Sequence, residues 1–359
     1  MNVPSYFLDF LTTIRPTDAM CSEYKDAHKL LRKRLRAFDT IKDALVTDFL
    51  QGSYRRSTLV RPISGKLADV DIIVVTKLDP TEWTAPRTLA LFSLFAKEHY
   101  DGKYEVQGRS VRINLSGLSL DIVPTSAPAE AEIGVLSSID VDELDELDGE
   151  SLVEKALRKR ADGAPLWKSA PLKIPDRDAK CWEETHPLAQ IAWTREHNAA
   201  SNGHYVNVIK ALKWWRQEAL KDLKRPKGYP LERAFAECFP SGAVGSVAEG
   251  LTLTMETFVT KFKAWRDLSL TPILADHGLP NQNVMKRIDG ADFAALYDAV
   301  VDGATLARAA LDATTVKASA EKWRELLGTR FPAPPEETEK SDGFTPRTGP
   351  SSPRPARYG

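Results

Sequence analysis

An apolar, β-branched run, Ile72-Ile73-Val74-Val75, is entered through two aspartates one residue apart, Asp69 and Asp71. Such a run has the composition of a buried central strand, so the charges at its mouth need a chemical reason. Side chains at i and i+2 of a strand leave the same face, about 6.6 Å apart. Asp69 and Asp71 therefore point together, and Val70 and Ile72 turn to the opposite, core face. Two carboxylates on one face can share divalent cations about 3.5–4 Å apart, the arrangement that serves in-line displacement at phosphorus. Mg2+ suits them, because it takes carboxylate and phosphate oxygens together.

Upstream lies Gln51-Gly52-Ser53-Tyr54-Arg55-Arg56-Ser57-Thr58. Gly52 lets the backbone approach an anion, and Ser53 with the N–H groups of a following helix start can hold a terminal phosphate. Most Gly-Ser pairs are plain turns, and no Gly-Lys-Ser/Thr follows to make a Walker loop. The pair carries weight only because Asp-x-Asp follows it. A third carboxylate, Asp121, interrupts the alternating segment Leu118–Val123. An unpaired charge inside an apolar run is costly, and metal binding would explain it.

The rest of the composition narrows the class. With 359 residues and 42% hydrophobic content the chain can bury a sizeable core in two lobes or one large domain. A formal net charge of -1 gives no global drive toward nucleic acid or membrane. No apolar run reaches the roughly 20 residues of a membrane span, and the start lacks a basic signal region. The expected location is cytoplasmic. Cys21, Cys181 and Cys238 form no Cys-x-x-Cys pair, so they are expected to be reduced, partly buried packing residues.

Periodicity predicts one long spine helix over residues 17–48, with Thr17 or Asp18 as cap and Met20, Tyr24, Leu31, Leu35, Phe38, Ile41 and Leu45 on one side. Lys25, Lys29, Arg32, Lys33, Arg34 and Arg36 lie on its other side, read as a solvated basic face. A helix is expected from Pro86 to about Tyr100, then strands at Tyr104–Gly108, Val111–Leu115 and Leu118–Val123. The acidic stretch Asp140 to Glu150 reads as a solvated amphipathic turn. Helices are expected over Glu232–Cys238, Ser246–Arg266, Gly290–Asp312 and Thr314–Leu327. His186, with no Cys or His partner nearby in sequence, reads as a hydrogen-bonded junction residue. Beyond Phe331 the chain is rich in Pro, Gly, Ser and Arg and cannot fold alone.

Together, Gly52-Ser53 with Arg56 and Thr58, Asp69-x-Asp71 and Asp121 resemble the nucleotidyltransferase superfamily that includes polymerase beta. More narrowly, the chain resembles the bacterial cGAS/DncV-like nucleotidyltransferases (CD-NTases) and the oligoadenylate synthases. The resemblance implies an α+β fold: a polymerase-beta-like nucleotidyltransferase lobe of mixed sheet and helices, a helical C-terminal lobe, and a cleft between them. The implied division is 1–48 for the N-terminal region and spine helix, 49–170 for the catalytic core, 171–330 for the helical lobe and 331–359 for a flexible tail. Trp182…Thr185-His186-Pro187 resembles the family's junction into the helical lobe. The segment Lys210-Ala211-Leu212-Lys213-Trp214-Trp215 resembles the helix from which a lysine reaches the triphosphate, so Lys213 or Lys210 is the expected phosphate partner. Thr271–Val284 resembles a loop bordering the nucleotide pocket.

The activity so implied is template-independent. Gly52 and Ser53 hold the triphosphate of ATP or another NTP, while Asp69, Asp71 and Asp121 bind two Mg2+ ions, for which Mn2+ substitutes. Pyrophosphate leaves, and repetition closes a cyclic di- or trinucleotide, a second messenger read by a downstream effector in antiphage defence. The ending Arg357-Tyr358-Gly359 resembles tails joined through Gly359 to targets by a ubiquitin-transfer-like apparatus. Two other classes stay open on the residues alone: an RNA- or protein-modifying nucleotidyltransferase, and a non-catalytic nucleotide-binding scaffold. Nucleic-acid binding is likewise left open.

Overall fold

α1 (Pro4–Ile14) carries Pro4 in its first turn, where a missing N–H costs nothing. Its Phe7, Phe10, Leu11 and Ile14 are buried, with Phe7 edge-on to Trp323 and Phe331. The structure, a computed structural model, describes residues 1–63, 65–127 and 171–334. The acidic stretch Asp140 to Glu150 and Gly359 lie outside the described residues.

α2 (Asp18–Ala37) begins under Thr17, whose hydroxyl accepts from the Met20 N–H. It stops earlier than its periodicity predicts. Phe38 is extended (φ -76°, ψ 114°), a single turn α3 (Asp39–Lys42) follows, and residues from 45 form β1 (Leu45–Gln51). Ile41 and Leu45 keep the helical spacing, but strand pairing claims the segment. The basic side of α2 is also only partly solvated. Lys25 and Lys33 are exposed, whereas Arg32 is 1% exposed and bonds the buried Asp48 of β1 together with Arg36. Those two arginines pin α2 to the sheet.

β1 pairs antiparallel with β2 (Ala68–Thr76), which pairs parallel with β5 (Leu118–Ser126). The crossover between β2 and β5 runs through α5 (Ala85–Tyr100) and the hairpin β3 (Tyr104–Val106) and β4 (Val111–Asn114), giving the order β1-β2-β5-β4-β3. A further hairpin, β6 (Leu172–Asp176) and β7 (Cys181–Thr185), joins at β5 through Ser126 and Lys173. The division expected at 170/171 thus falls just before a hairpin that hydrogen-bonds into the sheet. β7 is short and largely exposed, so its sequence shows little strand signal.

The two faces of the sheet differ. Val70, Ile72, Val74, Leu120 and Ile122 pack on Leu31 and Leu35 of α2 and Phe92 and Phe95 of α5. Burying each of these aromatic rings is worth about 2–3 kcal/mol. The other face changes character along β2, from Asp69 and Asp71 to Ile73 and Val75, which form a small second core with Phe49, Val123, Leu172 and Ile174. The carboxylates therefore sit where the two parallel strands begin.

The remaining helices are α6 (Pro187–Ala200), α7 (His204–Ala219), α8 (Tyr229–Ala236), α9 (Val247–Asp267), α10 (Gly290–Asp312) and α11 (Val316–Leu327). Ser246, Asp289 and Thr315 cap α9, α10 and α11 through their side chains. Their core takes in α1, so the first helix of the chain packs with the last. Phe331, where the tail was expected to begin, is fully buried against Phe7 and Phe10. Cys238 is buried as expected, but Cys21 and Cys181 are exposed. Among the described residues no helix is long and apolar enough to cross a membrane.

Candidate active site

Strand register assembles a polar row across the sheet. Gln51 of β1 faces Asp71 of β2, Asp71 faces Asp121 of β5, Asp121 faces Arg112 of β4, and Arg112 faces Glu105 of β3. Asp69 is one step away, opposite Ser119, whose hydroxyl bonds it. Asp69, Asp71 and Asp121, named from the sequence, are thus neighbours on one face. Val111-Arg112-Ile113-Asn114 alternates, so the polar face of β4 was readable, yet Arg112 went unremarked.

Arg112 is the counter-ion of this group. Its Nε donates to Asp121 Oδ1 at 2.9 Å and its Nη2 to Asp121 Oδ2 at 2.7 Å, and the same Nη2 lies 3.3 Å from Asp69 Oδ1. A planar guanidinium suits such a fork. Asp71 is left without a matching cation. Burial first, then Asp121 and Asp69, push its carboxyl up to about 7, against a weaker pull from Arg56 and Arg112. Gly52 explains its seclusion. A Cβ there would stand 1.8 Å from Asp71 Oδ2, and φ is +74°, so only glycine fits on both counts. Gly52 opens the short α4 (Gly52–Arg55), of which Ser53 is the second residue.

A second ionic cluster lies next to the first. Glu232 of α8 is buried, accepting from Arg56 at 3.1 Å, from the Thr58 hydroxyl at 3.0 Å and from Lys213 Nζ at 2.7 Å. Burial pushes its carboxyl up, but Lys213 and Arg56 outweigh that and hold it below the ordinary range. Lys213, expected as the phosphate lysine, is therefore engaged with Glu232. Lys210, one turn earlier, has no ion-pair or hydrogen-bond partner among the described residues. Burial and the nearby Arg15 and Lys213 lower its pKa to about 8.

Between sheet and helices runs a cavity of about 460 Å³, lined by Gln51, Asp71, Ser110, Gln190, Tyr229 and Asn283, among others. Asp276, Leu279, Gln282 and Val284 of the expected pocket-bordering loop also line it. Asp276 accepts from Gln190 at 2.7 Å. Trp193 is stacked between His197 and His277, with ring centroids 4.5 Å and 3.5 Å away. Burial, with Arg233 nearby, drops the His277 pKa to about 3, so its ring is neutral. Trp193 and His197 stand four residues apart on α6, a spacing that brings their rings together, whereas His277 comes from a separate segment that the sequence spacing does not mark. His186 is buried at the start of α6 and packs under Gly278 of the loop.

The donor set suits divalent cations: hard oxygen ligands, three carboxylates on one face, and excess negative charge. Among the described residues no three acidic, histidine or cysteine side chains already converge on one point, and Arg112 bridges Asp69 and Asp121.

Comparison with known proteins gives the family. Residues 1–135 match the Second Messenger Oligonucleotide or Dinucleotide Synthetase domain. A probable cyclic AMP-AMP-GMP nucleotide synthase of Salmonella paratyphi B is 41% identical, covering 99% of this chain and 98% of that relative. A cyclic AMP-AMP-GMP synthase of Enterobacter hormaechei is 39% identical over the same shares. The Vibrio cholerae cyclic AMP-GMP synthase DncV, solved with the linear intermediate 5′ pppA(3′,5′)pG, superposes with a TM-score of 0.65 at 15% identity, covering 92% of this chain and 96% of that one. Near-full-length identity to the synthases and the shared two-lobed architecture agree with the carboxylate row: the chain is a nucleotidyltransferase and belongs to the cGAS/DncV-like family of second messenger oligonucleotide synthases.

Proposed function

We propose that this enzyme joins three nucleoside triphosphates, ATP among them, into a cyclic trinucleotide with release of pyrophosphate, and that the product is a second messenger in antiphage defence. The observation that carries the reading is the register of Asp71, which lines the cleft between sheet and helices, with Asp121, Asp69 lying beside them on the same face of the sheet. The choice of a trinucleotide follows the names of the relatives, which include a cyclic AMP-AMP-AMP synthase of Acinetobacter at 30% identity.

In this reading Asp69, Asp71 and Asp121 hold the metal. When bound there, Mg2+ or Mn2+ would polarise the α-phosphate and lower the pKa of the attacking ribose hydroxyl. Gly52 brings the start of α4 against Asp71, and Ser53, the next residue, would hold the triphosphate. Lys210 gives its charge to phosphate, and Lys213 does so while leaning on Glu232. The cleft walls, with the neutral His277-Trp193 stack behind them, exclude water and orient the bases. The test is incubation of the purified protein with all four NTPs and Mg2+ or Mn2+, phosphatase treatment, and mass spectrometry of the resistant product. A cyclic trinucleotide containing AMP is expected. An extended RNA, or no small product from NTPs alone, would overturn the reading.

A further inference from the structure

We infer that Arg112 competes with divalent cations for Asp69 and Asp121, so that metal enters the site only together with a triphosphate. The inference rests on the reading of Asp69, Asp71 and Asp121 as the metal ligands. Arg112 takes both carboxylate oxygens of Asp121, with Nε at 2.9 Å and Nη2 at 2.7 Å, and the same Nη2 reaches Asp69 at 3.3 Å. Those are the oxygens a cation would need. The guanidinium is held over them by register, because Arg112 stands directly opposite Asp121 in the β4–β5 pair.

The charge count makes the contact strong. Three carboxylates share this face with one dedicated cation, the nearby Arg56 being bonded to Glu232. A hydrated cation arriving alone has to shed water and break a forked, charge-assisted bond while gaining few ligands. A triphosphate changes both sides of that exchange. It brings further oxygens to the metal, and it offers the displaced guanidinium a phosphate partner. Arg112 also has a second seat in the sheet, since Glu105 lies opposite it on its other side and is exposed. A swing across one strand spacing carries the charge from Asp121 to Glu105, with 25% of the side chain already exposed to permit it.

The experiment is Mn2+ binding, by calorimetry or electron paramagnetic resonance, to wild type, Arg112→Gln, Arg112→Lys and Asp71→Asn, each with and without a non-hydrolysable ATP analogue. Arg112→Gln is expected to bind Mn2+ alone at least tenfold more tightly than wild type, with Arg112→Lys in between. The analogue should tighten wild type far more than Arg112→Gln. A folded Arg112→Gln variant whose affinity for Mn2+ alone lies within twofold of wild type would overturn the inference. Asp71→Asn separates the two levels: if Mn2+ binding survives it undiminished in the presence of the analogue, the metal-site reading itself fails. Should Arg112→Gln not fold, the wild-type Arg112 Nε–H resonance decides, assigned by its loss in Arg112→Lys. It is expected to stay in place with Mg2+ alone and to move when Mg2+ and the analogue are added together. Movement with Mg2+ alone would overturn the inference.

Discussion

The carboxylate row of the sheet and the Glu232 cluster of the lobe junction are made of the same kinds of group in opposite proportion. In the row, Asp69, Asp71 and Asp121 share Arg112; in the junction, Arg56, Lys213 and the Thr58 hydroxyl share Glu232. The difference shows in the protonation of each acid. Glu232 is held below the ordinary carboxylate range although burial opposes it, whereas Asp71 is pushed up to about 7. A buried charge with its partners in place ties elements together, here the segment after α4 to α7 and α8. A buried charge left short of partners is a demand for a ligand. Arg56 links the two, bonded to Glu232 and close enough to Asp71 to pull its pKa down.

Three substitutions and a pH series test that contrast. The largest effect is expected from Asp71→Asn, which removes an uncompensated acid. Product formation should fall by about 1,000-fold or more, while thermal unfolding of the metal-free protein is unchanged or shifted upward. Undiminished synthesis would show that the row is not the reaction centre. Glu232→Gln does the reverse, leaving two buried cations without their acid. It is expected to cost about 3–5 kcal/mol of stability in urea unfolding, and a loss below about 1 kcal/mol would mean that the junction is not held by this ion pair.

pH sharpens the contrast next. The folded pKa of Asp71 lies above its ordinary value of 3.8, so between about 4 and 7 the native state holds a proton that the unfolded chain has released. The metal-free protein should therefore lose stability as pH rises through that window, by a few kcal/mol at most on the order of the linkage, and Asp71→Asn should flatten the profile. Urea unfolding in EDTA at a series of pH values measures it. The smallest effect is at Lys210, whose folded pKa of about 8 lies below its ordinary 10.5. Its half-buried charge burdens the fold below pH 8, and the burden is gone above about 10.5. Lys210→Met should raise stability at pH 7 by about 1 kcal/mol, with the gain vanishing at high pH. A loss at pH 7 would show that the charge has a partner.

What could be read ahead of the structure follows from how local each signal is. Asp69 and Asp71 were found because a strand alternates with period two, and Asp121 because a lone acid in an apolar run asks for an explanation. Their partner Arg112 was missed, since antiparallel register across a short hairpin decides which basic residue faces Asp121. Glu232 sits among Leu231, Ala234 and Phe235, an apolar stripe that hints at burial, but its three partners come from distant segments. α2 is shorter than its periodicity predicts because Ile41 and Leu45 keep the helical step while β1 pairs with β2. α1 went unassigned, being apolar on a face whose partners, Trp323 and Phe331, lie at the far end of the chain.

The parallel pairing of β2 with β5 also sets when the proposed carboxylate row can first assemble. Asp71 and Asp121 come into register only after α5 and the β3–β4 hairpin have crossed over between them, a non-local closure of the kind that forms late in folding. A chain interrupted between residues 76 and 118 holds one pair of acids and none of the opposing strand. With the proposed reaction centre in this row, chemistry that consumes nucleotides would be withheld from fragments and from half-made chains, and its onset would report that the sheet is complete.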